Sequence, residues 1–287
     1  MSETLLMGVD AGGSTCRVRI ETVDGTVVGS GKSGPATLRL GGIAAAASIA
    51  EATKQAVEAA GLPAETISTL KVCVGIASSE RPGSIDELKA ALAPHGLQDV
   101  IAVSDAHIAC VGAHKGEDGG IIIIGTGSIG YGLVGGNVRR VGGHGFPASD
   151  EGSGAFIGLH AARLALSAAD GLIAPSDFTD KVYGAMGGSV EEVAHWLARA
   201  HATDYAALAP FVVDSSCPQS EQLLTLAGSH IGQFVMGLVS KGIDKIALIG
   251  GLAPIIEVHL PLDAQSHIVD AQAGPIDGAL LMLRQIS

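Results

Sequence analysis

Short apolar runs recur along the chain, each closed by glycine or a polar turn, with longer stretches of helical periodicity between them. Leu5–Val9 predicts a buried strand. Arg17–Val23 alternates and predicts a second, Asp24-Gly25 a hairpin turn, and Thr26–Gly29 the start of a third. Ile43 to Ala60 is alanine-rich and stopped by Gly61 and Pro63, which predicts a helix. Lys71–Ala77 predicts a fourth strand, Ile85–Leu92 a short helix, Val100–Val103 a fifth strand, and a helix starts near Ser104-Asp105. The pattern then restarts. Ile121–Ile124, Ile129–Val134 and Asn137–Val141 predict three strands with glycine turns, and Asp150 to Ala168 reads as glycine-opened, then helical. Pro175 to Pro210 is helical and loop-rich. Leu223 to Ser240 reads as a helix with Leu224, Ala227, Ile231, Phe234 and Leu238 on a related face. Lys245–Ile249 and Ser266–Val269 read as late strands, and Pro275 to Gln285 as a closing helix.

The order strand–strand–strand–helix–strand–helix–strand–helix thus occurs twice, with a helical insertion near 150–240 in the second copy. Two α/β domains are expected: residues 1–113 with the closing helix 275–287, and residues 114–274, joined by a hinge near Ala113–Gly120. A length of 287 residues suits one large domain or two moderate ones. The chain is 47% hydrophobic but only 3% aromatic, so its core must be built from Ala, Val, Leu and Ile, as in parallel sheets covered by helices.

Composition narrows the partners. A net charge of −12 argues against nucleic acid or an anionic membrane surface. An anionic ligand would need local positive fields from helix ends and backbone N–H groups. The cysteines, Cys16, Cys73, Cys110 and Cys217, are widely spaced with no C-x-x-C pair, so neither a zinc site nor a redox motif is indicated. The N-terminus lacks a basic region followed by an apolar signal segment, and no apolar run reads as long enough to span a bilayer. A reducing cytoplasm is the expected compartment.

The chemistry concentrates where strands end in glycine. Leu5–Val9 runs into Asp10-Ala11-Gly12-Gly13-Ser14-Thr15, and Ile121–Ile124 runs into Gly125-Thr126-Gly127-Ser128. Such turns let backbone N–H groups approach an anion. Two of them facing each other could hold one nucleotide's phosphates, although neither a P-loop nor a convincing G-x-G-x-x-G is present. Asp10 suits Mg²⁺, through water, because that ion keeps part of its hydration shell; the alternative is a cap on the following turn. Asp105, by position alone, reads as a helix N-cap. Ser78 and Ser79 follow the fourth strand and read equally well as ordinary loop serines. Gly250-Gly251 ends a late strand, and Gly142–Gly154 is a glycine-dense polar loop containing Asp150 and Glu151.

Taken in order, Asp10–Thr15, Gly75–Ser79, Ser104-Asp105-Ala106, Gly125–Gly130, Gly142–Gly154 and Gly250-Gly251 resemble the acetate and sugar kinase, heat-shock chaperone and actin superfamily. Within it the chain is similar to N-acetylglucosamine and glucosamine kinases and to the ATPase activators of 2-hydroxyacyl-CoA dehydratases. The resemblance implies an α/β fold of two ribonuclease H-like, actin-like ATPase domains with a central interdomain cleft. It implies ATP and Mg²⁺ as cofactors, an amino sugar as acceptor at its 6-hydroxyl, and a homodimer. Asp105 matches the general base. Asp10 with Gly12, Gly13, Ser14 and Thr15, and Thr126 with Gly127 and Ser128, match the phosphate loops. Gly250 and Gly251 match the adenosine turn. Thr37, Ser78, Ser79, Asp105, Gly143, His144, Asp150 and Glu151 match the sugar side.

The chain departs from that pattern at Ile129 and Thr37, where asparagine is usual, and at His144, where an aromatic often stands. Two other functions compete. An activator ATPase of a redox enzyme would hold an iron–sulfur cluster through cysteine positions that these four cysteines do not match. A non-catalytic sugar sensor would usually append a helix-turn-helix, for which no length precedes residue 5.

Overall fold

The computed structural model describes residues 4–286. In chain order they form β1 (Leu5–Ala11), β2 (Cys16–Thr22), β3 (Val27–Ser33), α1 (Gly42–Ala59), β4 (Lys71–Ile76), α2 (Ser84–Leu92), β5 (Asp99–Ser104) and α3 (Asp105–Ala113). There follow β6 (Gly119–Ile124), β7 (Ser128–Val134), β8 (Asn137–Gly142), α4 (Gly154–Ala169), α5 (Asp177–Ala185), α6 (Val190–Leu197), α7 (Ala202–Ala206) and α8 (Ala209–Val213). The chain ends with α9 (Pro218–Val239), β9 (Ile246–Ile249), α10 (Ala253–Glu257), α11 (Leu262–Gln265) and α12 (Pro275–Ile286). It separates into two compact units, Met1–Asp118 with Ala271–Ser287, and Gly119–Asp270.

The first unit is a five-stranded sheet of order β3-β2-β1-β4-β5. β1 to β3 form an antiparallel meander, while β4 and β5 run parallel to β1. The sheet is covered on both sides, which is why β1 and β4 read as continuous apolar runs rather than alternating ones. Met7, Val9, Val18, Ile20, Ile49, Val72 and Leu88 fill one side. Leu6, Cys73, Ile108, Leu280 and Leu283 fill the other, so α12 belongs to this unit. Alanine dominates α1 because the helix lies very close to β3: a Cβ added at Gly29 or Gly31 would meet the Ala56 or Ala52 carbonyl oxygen at 2.1 or 2.0 Å. Charge also anchors α12. Arg284 pairs with buried Glu21, and Asp277 with Arg19.

The second unit repeats the arrangement as β8-β7-β6-β9, with β6 in the place of β1 and parallel β9 in that of β4. Its fifth strand, expected at Ser266–Val269, is reduced to a single bridge from Ile268 to Ile246. The short β9 and the α11 turn immediately before that segment leave little extended backbone to pair. The core joins Ile122 and Ile124 to α4, α9 and the helices between them, through Ile157, Phe178, Val212, Ile231 and Leu238.

One sequence reading needs correction. Helix α9 does have the length, and a mean hydropathy of 1.2, that a membrane span requires. Half of that window is buried inside the unit, as in a core helix. The buried thiols behave as small apolar groups: burial pushes Cys16 and Cys73 up to about 12, so both stay protonated at neutral pH.

Candidate functional site

In each unit the parallel strands bring their C-terminal ends to one edge of the sheet, where open α/β sheets place their ligands. In the first unit that edge carries Asp10, Ser78 and Asp105. Asp10 is the penultimate residue of β1, in register with Gly75 on β4 and Arg17 on β2. Its Oδ2 lies 3.6 Å from Arg17 Nη1. Burial raises its proton affinity, and the guanidinium offsets part of that rise. Residues 12–15 form the β1–β2 hairpin loop. The Gly12 N–H donates to the Thr15 carbonyl at 3.0 Å, and the Gly12 carbonyl accepts from Ala36 N–H at 3.0 Å. Gly13 and Ser14 are exposed, and a Cβ at Gly13 would meet nothing within 4 Å.

Thr37 and Ser78 come together at the end of β4. Thr37 bridges Ala77, and its hydroxyl donates to Ser78 Oγ at 3.2 Å. Ser78 has φ of 64°, a left-handed conformation that serine adopts only when its surroundings impose it. Thr37 is buried and its Oγ1 also accepts from Arg39 N–H at 3.4 Å. Its side chain therefore holds the Ser78 hydroxyl, and the Ala77 carbonyl beside it, from inside the unit.

The expectation that Asp105 caps its helix is overturned. Ser104 is the cap, its Oγ accepting from His107 N–H at 3.2 Å. Asp105 is the first helical residue, with Oδ1 accepting from the adjacent Ala106 N–H at 2.8 Å. Its proton affinity is raised, first by burial and then by the negative charges of Asp10 and Glu80, against the Ala106 hydrogen bond. Position alone could not separate the two, because Ser104 and Asp105 are adjacent and both favour N-caps. Ser104→Ala should cost about 1 kcal/mol of stability. The cost would appear as a lower urea midpoint with an unchanged denaturant slope.

In the second unit, the loop after β6 and the turn after β9 share an edge. Gly250 has φ of 105°, and a Cβ there would meet the Ile124 carbonyl oxygen at 2.3 Å. Gly251 is exposed and its Cβ position is open. Packing thus accounts for the first glycine and not the second. The start of α4 is pinned to the β6 loop: Gly154 N–H donates to the Gly125 carbonyl at 2.8 Å and Ala155 N–H to the Thr126 carbonyl at 3.0 Å. Thr126 is exposed. Gly127 makes room for Asp150, whose Oδ2 lies 2.6 Å from where a Cβ would stand. Burial raises the Asp150 carboxyl, while backbone N–H groups of Gly145, Ser128 and Phe146 pull it down.

The hydroxyl of Ser128, expected to reach phosphate, turns inward instead. It is 3% exposed and donates to the Glu151 carbonyl at 2.7 Å. It therefore fixes Glu151 rather than facing a ligand. Ser149 links the loop's two ends, donating to Glu151 Oε2 at 3.4 Å and accepting from His144 N–H at 3.3 Å. His144 itself is exposed. Arg140, which the sequence reading missed, braces this loop from β8 through the carbonyls of Gly142 and Gly143. Its signal was faint: one arginine of a pair on an alternating strand.

Comparison with known proteins adds an independent line. The chain matches the BadF/BadG/BcrA/BcrD ATPase family over residues 7–282. It is 34% identical over 278 residues to glucosamine kinase GspK of Vibrio cholerae, spanning 96% of this chain and 94% of that protein. Among solved structures, a candidate N-acetylglucosamine kinase from Chromobacterium violaceum superposes with a TM-score of 0.90 at 31% identity, covering 99% of this chain and 100% of that one. A ROK family glucokinase from Streptomyces griseus, solved with glucose and AMPPNP, shares the fold at a TM-score of 0.56 and 17% identity, with 99% of each chain covered. The mixed α/β architecture with two sheets is that of these ATPase-fold neighbours.

Proposed function

The chain belongs to the BadF/BadG/BcrA/BcrD ATPase family, and from that premise we propose that it phosphorylates an amino sugar, glucosamine or N-acetylglucosamine, at the 6-hydroxyl with ATP. Asp105 carries the reading. It is released from capping by Ser104, half-buried, proton-avid, and placed at the ligand edge of its sheet.

Phosphoryl transfer needs the acceptor oxygen positioned, its proton received and the phosphate charge neutralised. Asp105 accepts the hydroxyl proton and orients the oxygen; for a carboxylate, orientation is much of the benefit. Ser78, held by Thr37, and Ser79 offer hydrogen bonds to sugar hydroxyls. In the same unit, Gly12, Gly13, Ser14 and Thr15 offer N–H and hydroxyl donors to phosphate oxygens. In the second unit, Thr126 and the Gly127 backbone serve phosphates, Gly250 and Gly251 the adenosine, and Gly143, His144, Asp150 and Glu151 sugar hydroxyls.

Asp10 is the group that would hold Mg²⁺, a hard cation that prefers carboxylate oxygen and retains water. The donor set fits. Among the described residues no three or more His, Cys, Asp or Glu side chains gather as a protein cage, and Mg²⁺ is ordinarily bound by one or two carboxylates plus substrate phosphates. When bound, it neutralises charge on those phosphates.

The test is ADP release from Mg-ATP, coupled to a chromogenic assay, over a panel of sugars. Release that depends on glucosamine or N-acetylglucosamine, and disappears with the 6-deoxy sugar, is expected. Release without sugar would favour the activator ATPase, and no release the sensor.

A further inference from the structure

We infer that Tyr205 is a positioning residue for the acceptor sugar: its ring, packed on Phe146, sets the loop that carries His144, Asp150 and Glu151. The inference rests on the kinase reading and deepens it, because it gives a task to the helical segment between α4 and α9. The loop does not dictate its own shape. Gly142, Gly143, Gly145 and Gly152 have φ between 65° and 100°, and Asp150 has φ of 69°. A glycine-dense stretch has many alternative conformations, so its shape must come from anchors. Arg140 braces its start through the Gly142 and Gly143 carbonyls. Within residues 144–149, Phe146 is half-buried and Ser149 buried, while the rest are exposed. Ser149 ties the loop to itself, through His144, Glu151 and a 2.9 Å bond from its N–H to the Gly145 carbonyl. Phe146 ties the middle of the loop to the core.

That anchor has a fixed base. The Phe146 and Tyr205 ring centroids are 5.2 Å apart, with the planes tilted by 44°. Tyr205 is buried and lies on α7, whose backbone rests directly on α4: a Cβ at Gly158 would stand 1.7 Å from the Tyr205 carbonyl oxygen. Trp196, on α6, meets the same tyrosine edge-on, with centroids at 4.9 Å and planes at 77°. Helix α4 is also the one whose first N–H groups donate to the Gly125 and Thr126 carbonyls. Tyr205 thus stands on the helix that holds the candidate phosphate loop of this unit and reaches the candidate sugar loop, and it fixes one with respect to the other.

A tilted aromatic pair contributes about two- to tenfold to an equilibrium constant beyond the area it buries. Truncating the tyrosine releases Phe146, and the loop then spends part of its time away from the binding geometry. Sugar affinity falls by the fraction of that geometry lost. The proposed nucleotide contacts lie on other loops, so ATP affinity does not follow.

The experiment measures KM for glucosamine or N-acetylglucosamine at saturating Mg-ATP, KM for ATP at saturating sugar, and melting temperature. It uses the wild-type protein, Tyr205→Leu, Tyr205→Phe, Phe146→Leu and the Tyr205→Leu/Phe146→Leu double variant. Val193→Ala, a truncation of a buried α6 side chain, is the stability control. Tyr205→Leu and Phe146→Leu should each raise the sugar KM about two- to tenfold and leave the ATP KM unchanged. Tyr205→Phe keeps the ring and should match the wild type. The double variant should be no worse than either single one, because both remove the same contact. Val193→Ala should melt lower with an unchanged sugar KM. If Tyr205→Leu does not fold, Phe146→Leu reads the same contact from the loop side. An unmoved sugar KM, equal rises for sugar and ATP, additive effects in the double variant, or an equal sugar effect from Val193→Ala would overturn the assignment alone. A wild type that phosphorylates neither sugar would remove the kinase reading and this inference with it.

Discussion

Asp105→Asn is expected to lower kcat by about 10²- to 10⁴-fold, the range typical for loss of a general base, while ATP affinity changes little. The side chain keeps its shape but can no longer take a proton. The pH dependence follows from the same burial. Asp105 works deprotonated and its pKa is raised, so the acid limb of the kcat profile should lie above the ordinary carboxylate value of about 3.9. The stability effect has the opposite sign to that of a paired carboxylate. A folded pKa raised above the unfolded one means that the native state binds the proton more tightly. The ionised group then costs stability, and the cost grows as pH rises from the unfolded pKa through the folded one. Asparagine removes it. The variant should unfold at the same temperature as the wild type or above it at neutral pH, while turnover collapses. A parallel fall of turnover, ATP binding and melting temperature would make Asp105 structural instead.

Gly278→Ala should be strongly destabilising. Helix α12 packs backbone against backbone on α3 and β1. A Cβ at Gly278 would stand 2.0 Å from the Ile108 carbonyl oxygen and 2.6 Å from Gly112 N; one at Gly112 would stand 2.2 Å from the Gly274 carbonyl oxygen. At Gly8, on β1, the Ile276 carbonyl oxygen and Leu280 Cγ lie at 2.9 Å. Apart from that leucine, these neighbours are backbone atoms, so a helix must move to admit a methyl group. Overpacking of this kind costs about 1–3 kcal/mol and occasionally more, and the backbone contacts here argue for about 3. In a chain of this size the melting temperature should fall by roughly 6–12 °C. Gly184→Ala is the control. Nothing lies within 4 Å of its Cβ position, and alanine in a helix is favoured over glycine by up to about 1 kcal/mol. Equal behaviour of the two variants in thermal unfolding would contradict the close packing of α12.

Most elements were legible because burial on both faces, or on one, leaves a direct trace in residue order. The runs Leu5–Val9 and Ile121–Ile124 carry the unbroken apolar character of covered strands, and Gly61 with Pro63 stops α1 within two residues of its observed end. The segment Ser266–Val269 misled because a short apolar stretch is compatible with a strand, yet pairing depends on how much partner strand is present, and β9 offers it one bridge. Helix α9 misled in the other direction. Its polar residues interrupt the apolar ones often enough to hide a span-length window, although the folded unit buries half of that window as core.

At the level of function, residue order alone determined that two strand–glycine–hydroxyl loops, an aspartate opening the first and a Ser-Asp pair at a strand end exist in this chain, since such types at such spacing are local properties. Only the folded units decided which of those atoms remain free. Ser104 takes the helix cap and leaves Asp105 its carboxylate; Ser128 gives its hydroxyl to the Glu151 carbonyl; Thr37 gives its own to Ser78. The physical reason is that a hydrogen bond satisfied inside the protein depends on the partner that packing delivers, and that partner can lie dozens of residues away in the chain.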